Sequence, residues 1–153
     1  MTLIYGWGNP IWGNDAIGIQ IAQKLKEKQL PPDTVVKWSS ASPFSIVNQF
    51  LNHENVFLVD AYRGEGKEEG EIFEFTLSGD EEAQFLSPHS ASLISVLKIY
   101  KTLYPTQFPK EIRVFGICIK NFEFTDNMSD KILKTVDRVT NLILTKMKMT
   151  KNE

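Results

Sequence analysis

The sequence predicts a single α/β domain, a three-layer α/β/α sandwich built on a mostly parallel, twisted five-stranded sheet. Three observations predict it. Strand and helix signals follow one another as strand, helix, strand, helix, strand, strand, helix, strand, helix, the order of a sheet covered by helices. Most strand runs are continuously apolar, β-branched or aromatic, as buried parallel strands are. The helical runs each carry one apolar stripe at three-to-four spacing, which should lie on the sheet.

Leu3-Ile4-Tyr5 opens the chain as a short strand, and Ile17, Ile21 and Leu25 form the first helical stripe, within a helix predicted over 14–29. The Pro31-Pro32 pair ends that helix and starts the next strand, Thr34-Val35-Val36-Lys37-Trp38. A weaker helix is expected from Pro43 to Leu51, with Phe44, Val47 and Leu51 on one side. Val56-Phe57-Leu58-Val59 reads as a third strand ending at Asp60 and, like the first two, as central and parallel. Glu71–Leu77 partly alternates apolar with polar, the pattern of a strand nearer an edge.

Leu93, Val96, Leu97, Tyr100 and Tyr104 mark a helix over 88–104, and Ile132, Val136, Val139, Ile143 and Met147 mark another over 129–147. Between them, Ile112–Ile119 is the fifth strand, and Cys118 within it is expected to be buried and inert. The domain is assigned to residues 1–147, with 148–153 as a frayed tail. The predicted core is Ile4, Ile17, Ile21, Leu25, Val56, Leu58, Leu93, Val96, Leu97, Val114, Ile132 and Val136.

Composition narrows the function. With 153 residues and 42% hydrophobic content the chain suffices for one compact domain with a real core. A formal net charge of −2, with lysines and acids interleaved, provides no basic stripe for nucleic acid. No apolar run reaches the roughly 20 residues of a membrane span, and the N-terminus lacks a signal peptide's basic start. One lone cysteine excludes an internal disulfide, and the expected compartment is the cytoplasm.

Three distant segments each end in a potential metal ligand: Gly6–Asp15, Val56–Asp60 and Ser87–His89. Asp15 follows the loop after the first strand and should cap or open the first helix. Asp60 closes the third strand, and ligands in parallel α/β sheets bind beyond the carboxyl ends of the strands. Ser87 as N-cap and Pro88 as first helical residue put His89 in the first turn of a helix. The positive end of a helix dipole favours an ionised carboxylate and a neutral imidazole, the states that metal ligation requires. Two carboxylates and one imidazole suit a borderline divalent ion such as nickel or zinc.

Taken singly these residues have plain structural roles: Asp15 as an N-cap, Asp60 as a turn former, His89 as a surface side chain. His53, in a polar connection, receives no role. Other templates fail. Gly6-Trp7-Gly8-Asn9-Pro10-Ile11 puts Ile11 where the third glycine of a dinucleotide fingerprint belongs, so close helix–strand approach is not supported by that pattern. Gly8 and Gly13 have phosphate-loop spacing, but Asn14-Asp15 replaces the lysine and hydroxyl residue. No Gly-x-Ser-x-Gly elbow surrounds Ser87 or Ser90, against a serine hydrolase.

Gly6-x-Gly8-Asn9-Pro10-x-x-Gly13-Asn14-Asp15-x-x-Gly18, then Asp60-Ala61 after an apolar strand, then Ser87-Pro88-His89, resembles the hydrogenase maturation protease family over residues 1 to about 145. The resemblance implies an aspartic-type, nickel-dependent endopeptidase that removes the C-terminal extension of a nickel-iron hydrogenase large-subunit precursor after nickel insertion. It also implies a site in which two acids and a histidine recognise the nickel carried by the substrate, or another divalent ion such as zinc in its place. Carried across motif by motif, Asp15, Asp60 and His89 hold the metal and form the catalytic set; Asp60 is the preferred base because no motif offers a better-placed acid.

Two positions depart from the family pattern. Asn14 stands where an acid usually leads the first motif, and Trp38-Ser39-Ser40-Ala41-Ser42-Pro43 replaces an Asp-Gly-Gly-Thr-like segment after the second strand. The second departure supports an alternative, a non-cleaving module that binds the nickel-loaded large subunit as an assembly checkpoint. A small-molecule α/β hydrolase or nucleoside-binding enzyme rests on fold analogy alone.

Overall fold

A computed structural model describes residues 1–8, 16–62, 68–79, 88–119 and 130–151, with backbone alone at 88–91 and 150–151. The elements are β1 (Thr2–Trp7), α1 (Ile17–Lys26), β2 (Thr34–Ser39), α2 (Pro43–Phe50), β3 (Asn55–Tyr62), β4 (Ile72–Leu77), α3 (Pro88–Leu103), β5 (Glu111–Cys118) and α4 (Asp130–Lys151). They occur in the predicted order. The sheet runs β2-β1-β3-β5-β4, parallel except for β4, which pairs antiparallel with β5.

Alternation along the central strands divides the core between the two faces of the sheet. Leu3, Tyr5, Val56, Leu58, Ile112 and Val114 point to one side, where Ile46 and Phe50 of α2 and Leu93 and Leu97 of α3 cover them. Ile4, Phe57, Val59, Phe115 and Ile117 point to the other, under Ile17 and Ile21 of α1 and Ile132 and Val136 of α4. All twelve predicted core residues are buried. The helical period therefore identifies the inward stripes of α1, α3 and α4, because each of these helices lays one stripe on the sheet.

Several boundaries and faces differ from the sequence reading. β2 is an edge strand, not a central one, and five of its six residues are only half-buried. An apolar run such as Thr-Val-Val suits either position, because the flanking helices cover part of an edge strand as well. Helix α1 is shorter than 14–29: its N-cap is Ala16, without a side-chain hydrogen bond, and Asp15 precedes that position. At its other end Glu27 and Lys28 donate to carbonyls three residues back, tightening and closing the helix.

Helix α2 turns Ile46, Val47 and Phe50 inward, leaving Phe44 54% exposed. The i, i+4 pair Ile46/Phe50 faces the sheet, where the Phe50 ring meets Tyr5 edge-on at 6.0 Å. Strand β3 continues two residues past Asp60, to Tyr62, because β5 continues to pair with it. Helix α4 continues to Lys151, and Met147 is buried near its end.

Candidate active site at the carboxyl edge of the sheet

The chain leaves β1 toward β2 on one side and later returns to β3 on the other, so the connections diverge between β1 and β3. Such a divergence opens a crevice at the carboxyl ends of the strands, the usual ligand position in doubly wound sheets. Pairing between β1 and β3 ends at Gly6 and Val59, whereas β3 and β5 stay paired through Tyr62 and Cys118. Asp60, opposite Gly116, is thus the first residue of β3 beyond its pairing with β1. It is half-buried on the Leu58 side of the sheet, the face covered by α2 and α3. Its Oδ1 accepts a 2.8 Å hydrogen bond from the Ala61 N–H, which helps orient the carboxylate.

Helix α3 ends at the opposite edge of the sheet. Lys101 Nζ donates to Ser78 O just past β4, and Asn52 N–H, just ahead of β3, donates to Gln107 O. Its 16 residues rise about 24 Å, close to the length of the eight residues of β3 at about 3.3 Å each. The first turn of α3, with His89 at its second position, therefore begins at the Asp60 edge and on the Asp60 face. The imidazole lies outside the described atoms, and Asp15 outside the described residues. Of the three expected ligands only the Asp60 side chain is described. Among the described residues no three of His, Cys, Asp and Glu are grouped to hold a metal.

The start of α1 is held against the same edge by a glycine pair. A Cβ on Gly18 would lie 2.4 Å from Val59 O and 2.5 Å from Trp7 O, and one on Gly6 would lie 2.2 Å from Gly18 O. Close helix–strand approach is thus present, contrary to the reading from Ile11. Gly6 and Gly18 provide it in place of the third glycine of the dinucleotide pattern.

Toward β2, the departing segment has defined structural roles. Ser39 Oγ shares a 2.5 Å hydrogen bond with Tyr5 OH and accepts from the Ala41 N–H, while Gln49 Nε2 donates to Tyr5 OH. Ser42 caps α2 by accepting from Ser45 N–H, with Pro43 in its first turn. Trp7 Nε1 donates to Ala41 O at 2.8 Å, tying this loop to the end of β1. Ser39 therefore serves as a hydrogen-bond hub.

Toward β5, Tyr62 follows Asp60 on the same face, and its ring lies over Gly116, 3.1 Å from where a Cβ there would stand. Phe73 of β4 meets it edge-on at 5.3 Å. An aromatic wall thus stands beside Asp60. The Tyr62 hydroxyl is buried without a hydrogen-bond partner among the described residues. Burial, and then nearby Cys118 and Glu71, push the phenol well above its ordinary range. Sequence reasoning missed this wall, although a lone glycine inside an apolar strand such as Ile112–Cys118 signals close approach.

This arrangement defines a doubly wound α/β protein with an acid at its switch point and a helix start on the same face. No family model matches the chain. In sequence it is 24% identical over 127 residues to the hydrogenase 2 maturation protease of Escherichia coli (strain K12), a match covering 79% of this chain and 74% of that protein. In structure it resembles the E. coli hydrogenase maturating endopeptidase HybD, with a TM-score of 0.79, 20% identity and coverage of 97% and 93% of the two chains. The [NiFe] hydrogenase maturation proteases HybD and HycI of Thermococcus kodakarensis superpose with TM-scores of 0.74 and 0.70, at 22% and 25% identity. Those matches cover 93% and 96% of this chain, and 95% and 92% of theirs. In sequence and fold together, the chain resembles the hydrogenase maturation proteases.

Proposed function

We propose that the protein is an endopeptidase that removes the C-terminal extension of a nickel-loaded hydrogenase large-subunit precursor. The observation that carries this reading is the position of Asp60 at the β1/β3 switch point, on the face and edge where α3 begins with His89. Asp15, two residues before the start of α1, completes the donor set. Two carboxylates and an imidazole suit nickel, with zinc as a possible replacement. The ion arrives as part of the substrate, so its ligation positions the precursor and the bond to be cut. The Ala61 N–H orients the Asp60 carboxylate, and the Tyr62–Phe73 wall limits water access from the β5 side. Asp60 acts as the preferred base toward the attacking water, which makes the chemistry aspartic-type. The cytoplasm is the compartment this reading expects, and among the described residues no helix is long and apolar enough to cross a membrane.

The test is mass spectrometry of a purified precursor after incubation with the protein, with and without nickel. Loss of the extension only from the nickel-loaded form is expected. A second reading, a checkpoint module that binds without cutting, is favoured by one observation: β2 ends in Ser39, whose hydroxyl is committed to Tyr5 and Ala41. Nickel-dependent binding without mass loss would select it.

A further inference from the structure

The outer edge of β2 carries unpaired backbone groups beside a groove. Gly8 N–H donates to Ser39 O and Thr2 N–H to Asp33 O, so the odd-numbered positions turn their backbone groups toward β1. Strand alternation then turns the N–H and C=O of Val36 and Trp38 outward. β2 is the last strand on its side, and neither residue has an outer backbone partner among the described residues. A groove runs along this edge, lined by Lys26 at the end of α1, by Val36, Lys37 and Trp38, and by Gln49 of α2. Among the described residues its charged lining is the two lysines, and Lys26 Nζ stands 5.2 Å from the centre of the Trp38 ring. No proline occurs within Thr34–Ser39 to block addition of a strand.

We propose that this edge binds an extended, carboxylate-bearing peptide of the protein substrate as a sixth strand, paired to Val36 and Trp38 and flanked by Lys26 and Lys37. Main-chain pairing supplies affinity in such strand addition, and the lysines select for acidic side chains. The groove reaches the carboxyl edge at Ser39, where the candidate site lies. An added strand would stand three strand spacings from β3, about 14 Å, which about four extended residues cross. That the peptide flanks the bond to be cut rests on the maturation-protease reading; the unpaired edge does not.

The experiment has two arms. In the first, a twelve-residue peptide alternating Glu and Val is added to the full-length protein, and amide exchange is followed by NMR. Exchange at Val36 and Trp38 should slow about tenfold at saturation. Val36→Pro, which removes one outward N–H, should abolish this. The pair K26E/K37E, which leaves the backbone intact, should weaken peptide binding about tenfold. No protection in wild type, equal protection by a Lys-Val peptide, or protection that rises with protein concentration alone would each overturn the proposal, the last in favour of a second copy of the chain. In the second arm, the Glu-Val peptide should inhibit trimming of the nickel-loaded precursor, and K26E/K37E should raise KM with kcat unchanged. Trimming unaffected by both would overturn the substrate assignment while leaving the protease reading standing. Absence of trimming by wild type would end the protease reading and the substrate assignment with it, with the edge itself judged by the first arm.

Discussion

Gly6 and Gly18 lie back to back: a Cβ on Gly6 would stand 2.2 Å from the Gly18 carbonyl oxygen and 2.7 Å from the Ala22 Cβ. The contact sets how closely α1 approaches β1 and fixes the level at which the helix begins. Gly6→Ala should therefore destabilise the fold by about 3 kcal/mol, because the nearest obstacle is backbone and must shift as a unit. Adding Ala22→Gly should restore little, since the Gly18 carbonyl remains. Thermal unfolding of the single and double variants checks both. Full recovery in the double variant would place the clash with the Ala22 methyl instead.

His89→Ala and Asp60→Asn should each abolish trimming of the nickel-loaded precursor while leaving the fold intact. A first-turn helix residue contributes little to the core. Asparagine keeps an oxygen for the Ala61 N–H while removing the charge. Circular dichroism and mass spectrometry on the same preparations separate the two effects. Equal trimming by His89→Ala and wild type would remove the imidazole from the mechanism.

Ser39→Ala should cost about 1 kcal/mol of stability and leave kcat unchanged. The hydroxyl bonds Tyr5 and Ala41, and Tyr5 keeps Gln49 as a partner when it is lost. Denaturant unfolding and turnover are the two measurements. A collapse of kcat without loss of stability would make Ser39 part of the chemistry.

Tyr62→Phe removes a buried hydroxyl that has no partner among the described residues, so stability at neutral pH should rise by about 1 kcal/mol. The pH dependence follows from the raised phenol. Its ordinary value is near 10, and burial with Cys118 and Glu71 nearby raises it in the folded protein. Above about pH 10 the unfolded chain therefore loses a proton that the folded protein keeps. The stability carried by this group is complete below that pH and is lost as the pH rises toward the folded value. Tyr62→Phe should flatten the alkaline limb of a stability–pH curve, and an unchanged slope would assign that limb to other groups.

The sequence by itself determined the order of elements, the inward faces of α1, α3 and α4, and the edge position of β4. Ile17, Ile21 and Leu25, or Ile132, Val136 and Val139, bury one stripe because a helix has one neighbour to pack against. It also placed Asp60 at the carboxyl end of an apolar strand, where an acid after four apolar residues calls for a polar role. What only the tertiary structure decided depends on which strands become neighbours. Thr34–Ser39 reads like an interior strand until the order β2-β1-β3-β5-β4 leaves its outer edge open. Gly6 and Gly18 stand in the sequence only as glycines of the first motif until strand and helix meet across them. Tyr62 and Gly116 are 54 positions apart and form one wall only through the β3/β5 register. Local periodicity encodes which face of an element is buried; pairing order and close approach are properties of two segments together, so neither segment carries them alone.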